Sequence, residues 1–121
     1  MNWSSRYVGI PYSVRDCYAL VREVLERECG ILIPPPENEV STYTTIAEAQ
    51  PIVDCYWNPV LYEDRAEFDV VFFKGTEMTH CGILISRTRF LHTSEATGAI
   101  VERLGDRYWQ DRLEGCYRAK E

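Results

Sequence analysis

The sequence predicts an α+β domain in which one helix precedes an antiparallel sheet of about five strands. Three observations predict it. An amphipathic period begins at Cys17, five short strand signals follow one another from Phe68 onward, and turn-forming residues separate those signals. At 121 residues the chain can build one core, and it is read as one domain, residues 1–121, without a linker or repeat.

In the first element, Cys17, Leu20, Val21, Val24 and Leu25 recur at helical spacing, while Arg22, Glu23, Glu26 and Arg27 fill the opposite side. Ser13 is expected to cap this helix and Gly30 to close it in the left-handed conformation. Arg22 is expected to face solvent or a carboxylate. Pro34-Pro35-Pro36 then stops regular structure, and Glu37 to Pro59 reads as a long surface excursion with one helical candidate, Thr45 to Gln50.

Strands are expected over Phe68–Phe73, Thr79–Ser86, Arg89–Ser94, Ala99–Leu104 and Leu113–Arg118. Lys74-Gly75-Thr76-Glu77, Arg87-Thr88, Thr97-Gly98 and Gly105-Asp106 separate them. Helix first and a meander of strands after is the pattern of a helical layer on an antiparallel sheet.

A formal charge of -6, with no basic stripe interleaved among the aromatics, disfavours a nucleic-acid partner. Five cysteines form no CxxC pair and stand beside only two histidines, so neither a zinc knuckle nor a disulfide framework is expected. Free thiols, no metal and no cofactor are the expectation. No apolar run approaches the length of a membrane span, and the start Met1-Asn2-Trp3-Ser4-Ser5-Arg6 lacks the apolar region of a signal peptide. Synthesis and folding in a cytosol, without membrane insertion, are therefore expected.

Cys17 falls in the first turn of the helix, where unpaired N–H groups and the positive end of the helix dipole favour a thiolate. It is a candidate nucleophile; a small residue on the buried stripe is the other reading. The two histidines, His80 and His92, lie on neighbouring strands. A hairpin turn centred near Ser86 would set them directly opposite each other on one face, with β-carbons roughly 5 Å apart. Taken singly, each could be a strand residue satisfied by a nearby carbonyl. Together with a helix-start cysteine they match the recurrent arrangement for thiol acyl transfer, a Cys–His pair whose ring is held by a third polar group.

Tyr7-Val8-Gly9-Ile10-Pro11-Tyr12, Asp16-Cys17-Tyr18-Ala19-Leu20-Val21-Arg22, Phe68-Asp69-Val70-Val71-Phe72-Phe73, Thr79-His80-Cys81-Gly82-Ile83, Arg89-Phe90-Leu91-His92, Trp109 and Gly115-Cys116-Tyr117-Arg118 together carry a resemblance. The chain resembles the NlpC/P60 cysteine peptidases, and more narrowly the versions found in bacteriophage tails and gene-transfer agents. That resemblance implies a small papain-like α+β fold with the nucleophile helix packed on the sheet that carries both histidines. It implies Cys17 as nucleophile, His80 as general base, His92 as the ring-orienting residue and Tyr12, from the family's Pro-Tyr pair, on the oxyanion side.

The reaction implied is hydrolysis of a peptide bond in the stem of bacterial peptidoglycan, typically a γ-D-glutamyl to diamino-acid linkage. Phage tail-tip proteins are the implied partners, and the implied location is the virion tail after synthesis in the host cytoplasm. Asp16 could bind a substrate amine; an acidic residue at a helix start is also favourable in itself. Tyr18, Tyr56, Trp57, Trp109 and Tyr117 could line a cleft or fill the core.

The chain departs from the family pattern in four places. Only Ser13-Val14-Arg15-Asp16 separate Tyr12 from Cys17, Tyr18-Ala19 follows the nucleophile where Ser-Gly is usual, Phe68-Asp69 stands where Gly-Asp is usual, and Cys81 stands where valine is common. An aromatic after the nucleophile resembles the phage-tail versions. Cys81 is read as a core thiol. Two other functions fit the same resemblance: a structural tail-assembly module with an idle site, and a thiol acyltransferase.

Overall fold

In a computed structural model, which describes residues 2–34, 54–75 and 79–121, the first apolar period folds as helix α1, Cys17–Cys29. Its stripe of Leu20, Val21, Val24 and Leu25 is fully buried. Gly30 ends the helix at φ 69°, as expected, and its N–H donates to Glu26 O at 3.1 Å. The cap at the other end is Asp16 and not Ser13. Asp16 Oδ1 accepts the N–H of Ala19 at 2.8 Å, whereas the chain around Ser13 is taken up by a turn in which Val14 and Arg15 both donate to Pro11 O. Among the described residues Arg22 meets a backbone carbonyl: its Nε donates to Ile33 O at 2.8 Å and ties the segment after α1 back onto the helix.

The strands are β1 Trp57–Val60, β2 Val70–Phe73, β3 His80–Leu84, β4 Arg89–Ser94, β5 Gly98–Arg103 and β6 Leu113–Ala119. They form one sheet in the order β1-β6-β2-β3-β4-β5, with every neighbouring pair antiparallel. Among the described residues six strands stand where five are expected. The extra one, β1, occupies the end of the stretch read as a surface excursion, and it is an edge strand whose Trp57 is buried. Pro59 hides it in the sequence, because proline argues against a strand except at an edge where no ladder donor is needed. The candidate helix Thr45 to Gln50 lies outside the described residues.

Strand β2 begins at Val70, two residues later than expected, because Phe68 sits in a turn at φ 71°. A non-glycine residue there is strained by about 1–2 kcal/mol. Stacking offsets this: the Trp3 ring lies over Phe68 with centroids 5.0 Å apart, and Phe68 N donates to Leu84 O at 2.9 Å. The next residue, Asp69, is buried and held by Arg118 through Nε at 2.7 Å and Nη2 at 2.8 Å, which joins β6 to the start of β2. Three further elements, 3-10 turns over Trp3–Arg6 and Tyr62–Asp64 and a short helix α2, Arg107–Gln110, carry too little periodicity to be read from sequence.

Strand alternation divides the core into two layers. Val70, Phe72, Cys81, Ile83 and Leu91 face α1, while Val71, Phe73, Leu84, Phe90 and Leu104 pack on the other face, partly under Trp109 of α2. The segment before α1 is pinned to the sheet as well. Gly9 N donates to Ala99 O and Ala99 N to Ile10 O, each at 2.9 Å, and Gly98 at φ 66° lets Ile10 O approach its Cα side closely. This fixes where the helix can begin.

The β3–β4 hairpin turns one residue later than expected. Ile83 pairs with Leu91 and Leu84 with Phe90, so the ladder continues to Gly82 beside His92 and His80 is offset diagonally from it. A shift of two positions in pairing keeps the face, so both histidines still share one side of the sheet. That side is the one turned away from α1, where both rings pack beside Phe73 and Phe90. A Cβ at position 82 would stand 2.7 Å from the Phe90 ring, 2.9 Å from Leu91 O and 3.2 Å from His92 Cβ. Gly82→Ala is therefore expected to spread β3 from β4 at a cost of about 2 kcal/mol, lowering Tm by roughly 8 °C in thermal unfolding. An unchanged Tm would show that this close approach has no role.

Candidate active site

Cys17 is the first residue of α1 and 6 % exposed, so its thiol combines a helix start with partial removal from water. It interacts with two side chains of β3, the Cys81 thiol and the His80 imidazole. Both favour the thiolate. The interaction with the Cys81 thiol holds the Cys17 pKa well below its ordinary value, the neighbouring imidazole of His80 pulls the same way, and burial opposes them. The Cys81 thiol moves the other way, raised by its bond to the Cys17 sulfur and by complete burial. Cys81 is thus a core residue, as read from sequence, whose thiol also favours charge on the neighbouring Cys17 sulfur.

His80 Nε2 and His92 Nδ1 are 2.9 Å apart, with the rings nearly perpendicular at 86°. The diagonal offset in register is spanned by the length of the two rings. His80 is half-buried, and with Nε2 engaged its Nδ1 is the nitrogen left for Cys17. His92 is 3 % exposed; burial, and next the charge that His80 can carry, push its pKa down to about 4, so it is neutral at neutral pH. Its second nitrogen, Nε2, makes a short hydrogen bond to Glu102 Oε2.

Trp109 walls this pair. Its ring stacks on His80 at 5.7 Å and meets His92 edge-on at 4.8 Å, with Phe73 and Phe90 closing the packing behind. Of the five aromatics that could line a cleft, Trp109 does so here. Tyr18, Trp57 and Tyr117 are buried on the helix side of the sheet, and Tyr56 packs against them.

Cys17, His80, His92, Glu102, Trp109 and Tyr12 all border one open cleft of about 700 Å³. Tyr12 is half-buried, and burial together with the negative charge available on Cys17 and Asp16 raises its pKa, which keeps the phenol protonated as a donor. The short loop to Cys17 therefore still brings Tyr12 to the cleft. Asp16 does not border this cleft. Its carboxylate caps α1 and opens onto an adjoining pocket that it shares with Tyr12 and Glu95.

Sequence reasoning missed Glu102. The signal existed: on β5, Ile100 pairs with His92, so Glu102 is the next residue of that face along the strand. Finding it required the β4–β5 register. Lys74 and Arg112 also line the cleft, the latter stacked 3.7 Å from the Tyr108 ring, and neither carries a sequence motif.

In chemical terms the arrangement presents a thiol poised toward thiolate, an imidazole to take or share its proton, a second imidazole to hold the first, and a phenol nearby. Two comparisons bear on what it is. A family profile, the NlpC/P60 family, matches residues 4–118. A solved structure from Staphylococcus aureus, described as similar to lipoprotein and of the NLP/P60 family, superposes with a TM-score of 0.69 at 27% identity. The match covers 98% of this chain but 39% of that one, so the chain spans about two fifths of the larger protein. Among curated proteins none matches. The sheet with α1 packed on it and the near full-length family match lead to one assignment: the chain belongs to the NlpC/P60 family and has its α+β fold.

Proposed function

We propose that this protein is a cysteine endopeptidase that cleaves peptide bonds in the stem peptides of bacterial peptidoglycan. The observation that supports the reading most is that Cys17 and His80 line one cleft, with His80 Nε2 bonded to His92 at 2.9 Å. Family membership makes a peptidoglycan-directed thiol hydrolase the natural chemistry for such a pair.

In the proposed reaction His80 Nδ1 takes the Cys17 proton and the sulfur attacks the scissile carbonyl. The negative charge that develops on the carbonyl oxygen is met by the first N–H groups of α1 and the Tyr12 hydroxyl; one such donor is typically worth about 3 kcal/mol in the transition state. The imidazolium then returns its proton to the leaving amine, and water, deprotonated by the same nitrogen, releases the acyl group from sulfur. Asp16, beside Tyr12 in the adjoining pocket, is suited to a substrate amine.

The proposed place of work is the tail tip of a bacteriophage, in contact with other tail proteins, the chain being made in the host cytoplasm. Tyr18 after the nucleophile supports it, since this aromatic resembles the phage-tail versions of the family. The same fold with an idle site, or with an amine in place of water as acceptor, gives the structural and acyltransferase alternatives.

Cys17→Ala is expected to bring hydrolysis of a defined muropeptide down to background while circular dichroism stays unchanged. Full activity in that variant would refute the assignment, and a wild-type protein inert on every muropeptide would favour the idle site. For the location, mass spectrometry of purified particles is expected to find the chain in the tail fraction; particles lacking it would refute the tail-tip role.

A further inference from the structure

We propose that Glu102 is a positioning residue which, through His92, selects the tautomer that leaves His80 Nδ1 facing Cys17 as a base. The inference deepens the hydrolase reading and rests on it only for the identity of the substrate. Its basis is a continuous line of three side chains on neighbouring strands, Glu102 of β5, His92 of β4 and His80 of β3.

The protons along that line are fixed by the group at its end. An ionised carboxylate has no proton to give, so Glu102 Oε2 can only accept, and His92 Nε2 must be the nitrogen that carries hydrogen. A neutral imidazole has one N–H. His92 Nδ1 is then an acceptor, and the bond of 2.9 Å to His80 requires the hydrogen to sit on His80 Nε2. In neutral His80 that leaves Nδ1 without a hydrogen, free to take the one on the Cys17 sulfur. When His80 becomes an imidazolium the same bonds persist, and the carboxylate on the far side of His92 stabilises the added charge.

Without Glu102 nothing in this line distinguishes the two forms of His92. With hydrogen on Nδ1, His92 would donate to His80 Nε2, and neutral His80 would carry its hydrogen on Nδ1, where it could not act as a base toward sulfur. Burial makes the choice consequential, since the His92 side chain is 4 % exposed and water cannot substitute as its partner. Glu102 reaches His92 from the cleft wall, where its side chain is 33 % exposed. Around the line the other titratable groups are Cys81 of β3 and Tyr12 before α1, with Glu95, Asp106, Lys74 and Arg112 bordering the cleft. Among the described residues, His80 and Glu102 are the side chains hydrogen-bonded to His92.

The test uses full-length wild type, Glu102→Ala and Glu102→Gln, with two readouts that need no peptide substrate. Nitrogen-15 NMR of the imidazoles at neutral pH is expected to report His92 with hydrogen on Nε2 in wild type and in Glu102→Gln, whose amide oxygen can still accept. In Glu102→Ala the hydrogen is expected to redistribute toward Nδ1. The rate of Cys17 alkylation, followed by peptide mass spectrometry across pH, is expected to shift its midpoint upward by about one pH unit in Glu102→Ala, an approximately tenfold slower reaction near neutrality. If both variants keep the wild-type tautomer and alkylation profile, the proposal is overturned. A wild type with the expected tautomer but no muropeptide hydrolysis would overturn the proposed function and leave this role of Glu102 in place.

Discussion

The hydrogen bond between His80 and His92 is the constraint on which the site depends, because an imidazole on a short side chain can face a helix start in only one of several orientations. Left unheld, His80 would rotate about its χ angles and present either nitrogen, or neither, to Cys17. A bond of 2.9 Å to a ring that is itself buried removes that freedom. The cost lies in the hairpin that carries both residues. Strands β3 and β4 must approach closely enough for the rings to meet on the diagonal, and Gly82 supplies the space that any larger residue would fill.

The sulfur arrives from the opposite layer. Helix α1 lies on one face of the sheet and the histidines project from the other, so the two can meet only beyond the strand ends, where His80 opens β3 and Cys17 opens α1. Backbone bonds of Gly9 and Ile10 to Ala99 hold the approach to the helix, and the Asp16 cap settles its first residue. Burial alone would raise the thiol pKa. The Cys81 thiol and the His80 imidazole act against it, which is how the pKa of a sulfur only 6 % exposed is held below its ordinary value.

Much of this was legible in residues alone, for physical reasons that also explain what was not. Period 3.6 in Cys17 to Leu25 and period 2 in the later strands reflect burial on one face, which sequence records directly. Face is a parity property, so the shared side of His80 and His92 survived a turn placed one residue early. Register is not a parity property. Glu102 could be found only by knowing which residue of β5 stands beside His92, and strand β1 was hidden by a proline that an edge tolerates. The cap passed from Ser13 to Asp16 because a turn on Pro11 consumed the intervening residues, a local competition that helix preferences do not register.

Charge on the Cys17 sulfur at neutral pH is the central physical claim, and it can be read without any substrate. Thiolate absorbance in the ultraviolet, recorded for wild type minus a Cys17→Ser variant across a pH titration, isolates this one sulfur from the other four cysteines. The account predicts a midpoint well below the ordinary thiol value of about 8.5. A midpoint at or above that value would mean that burial prevails over His80 and Cys81, and would contradict it.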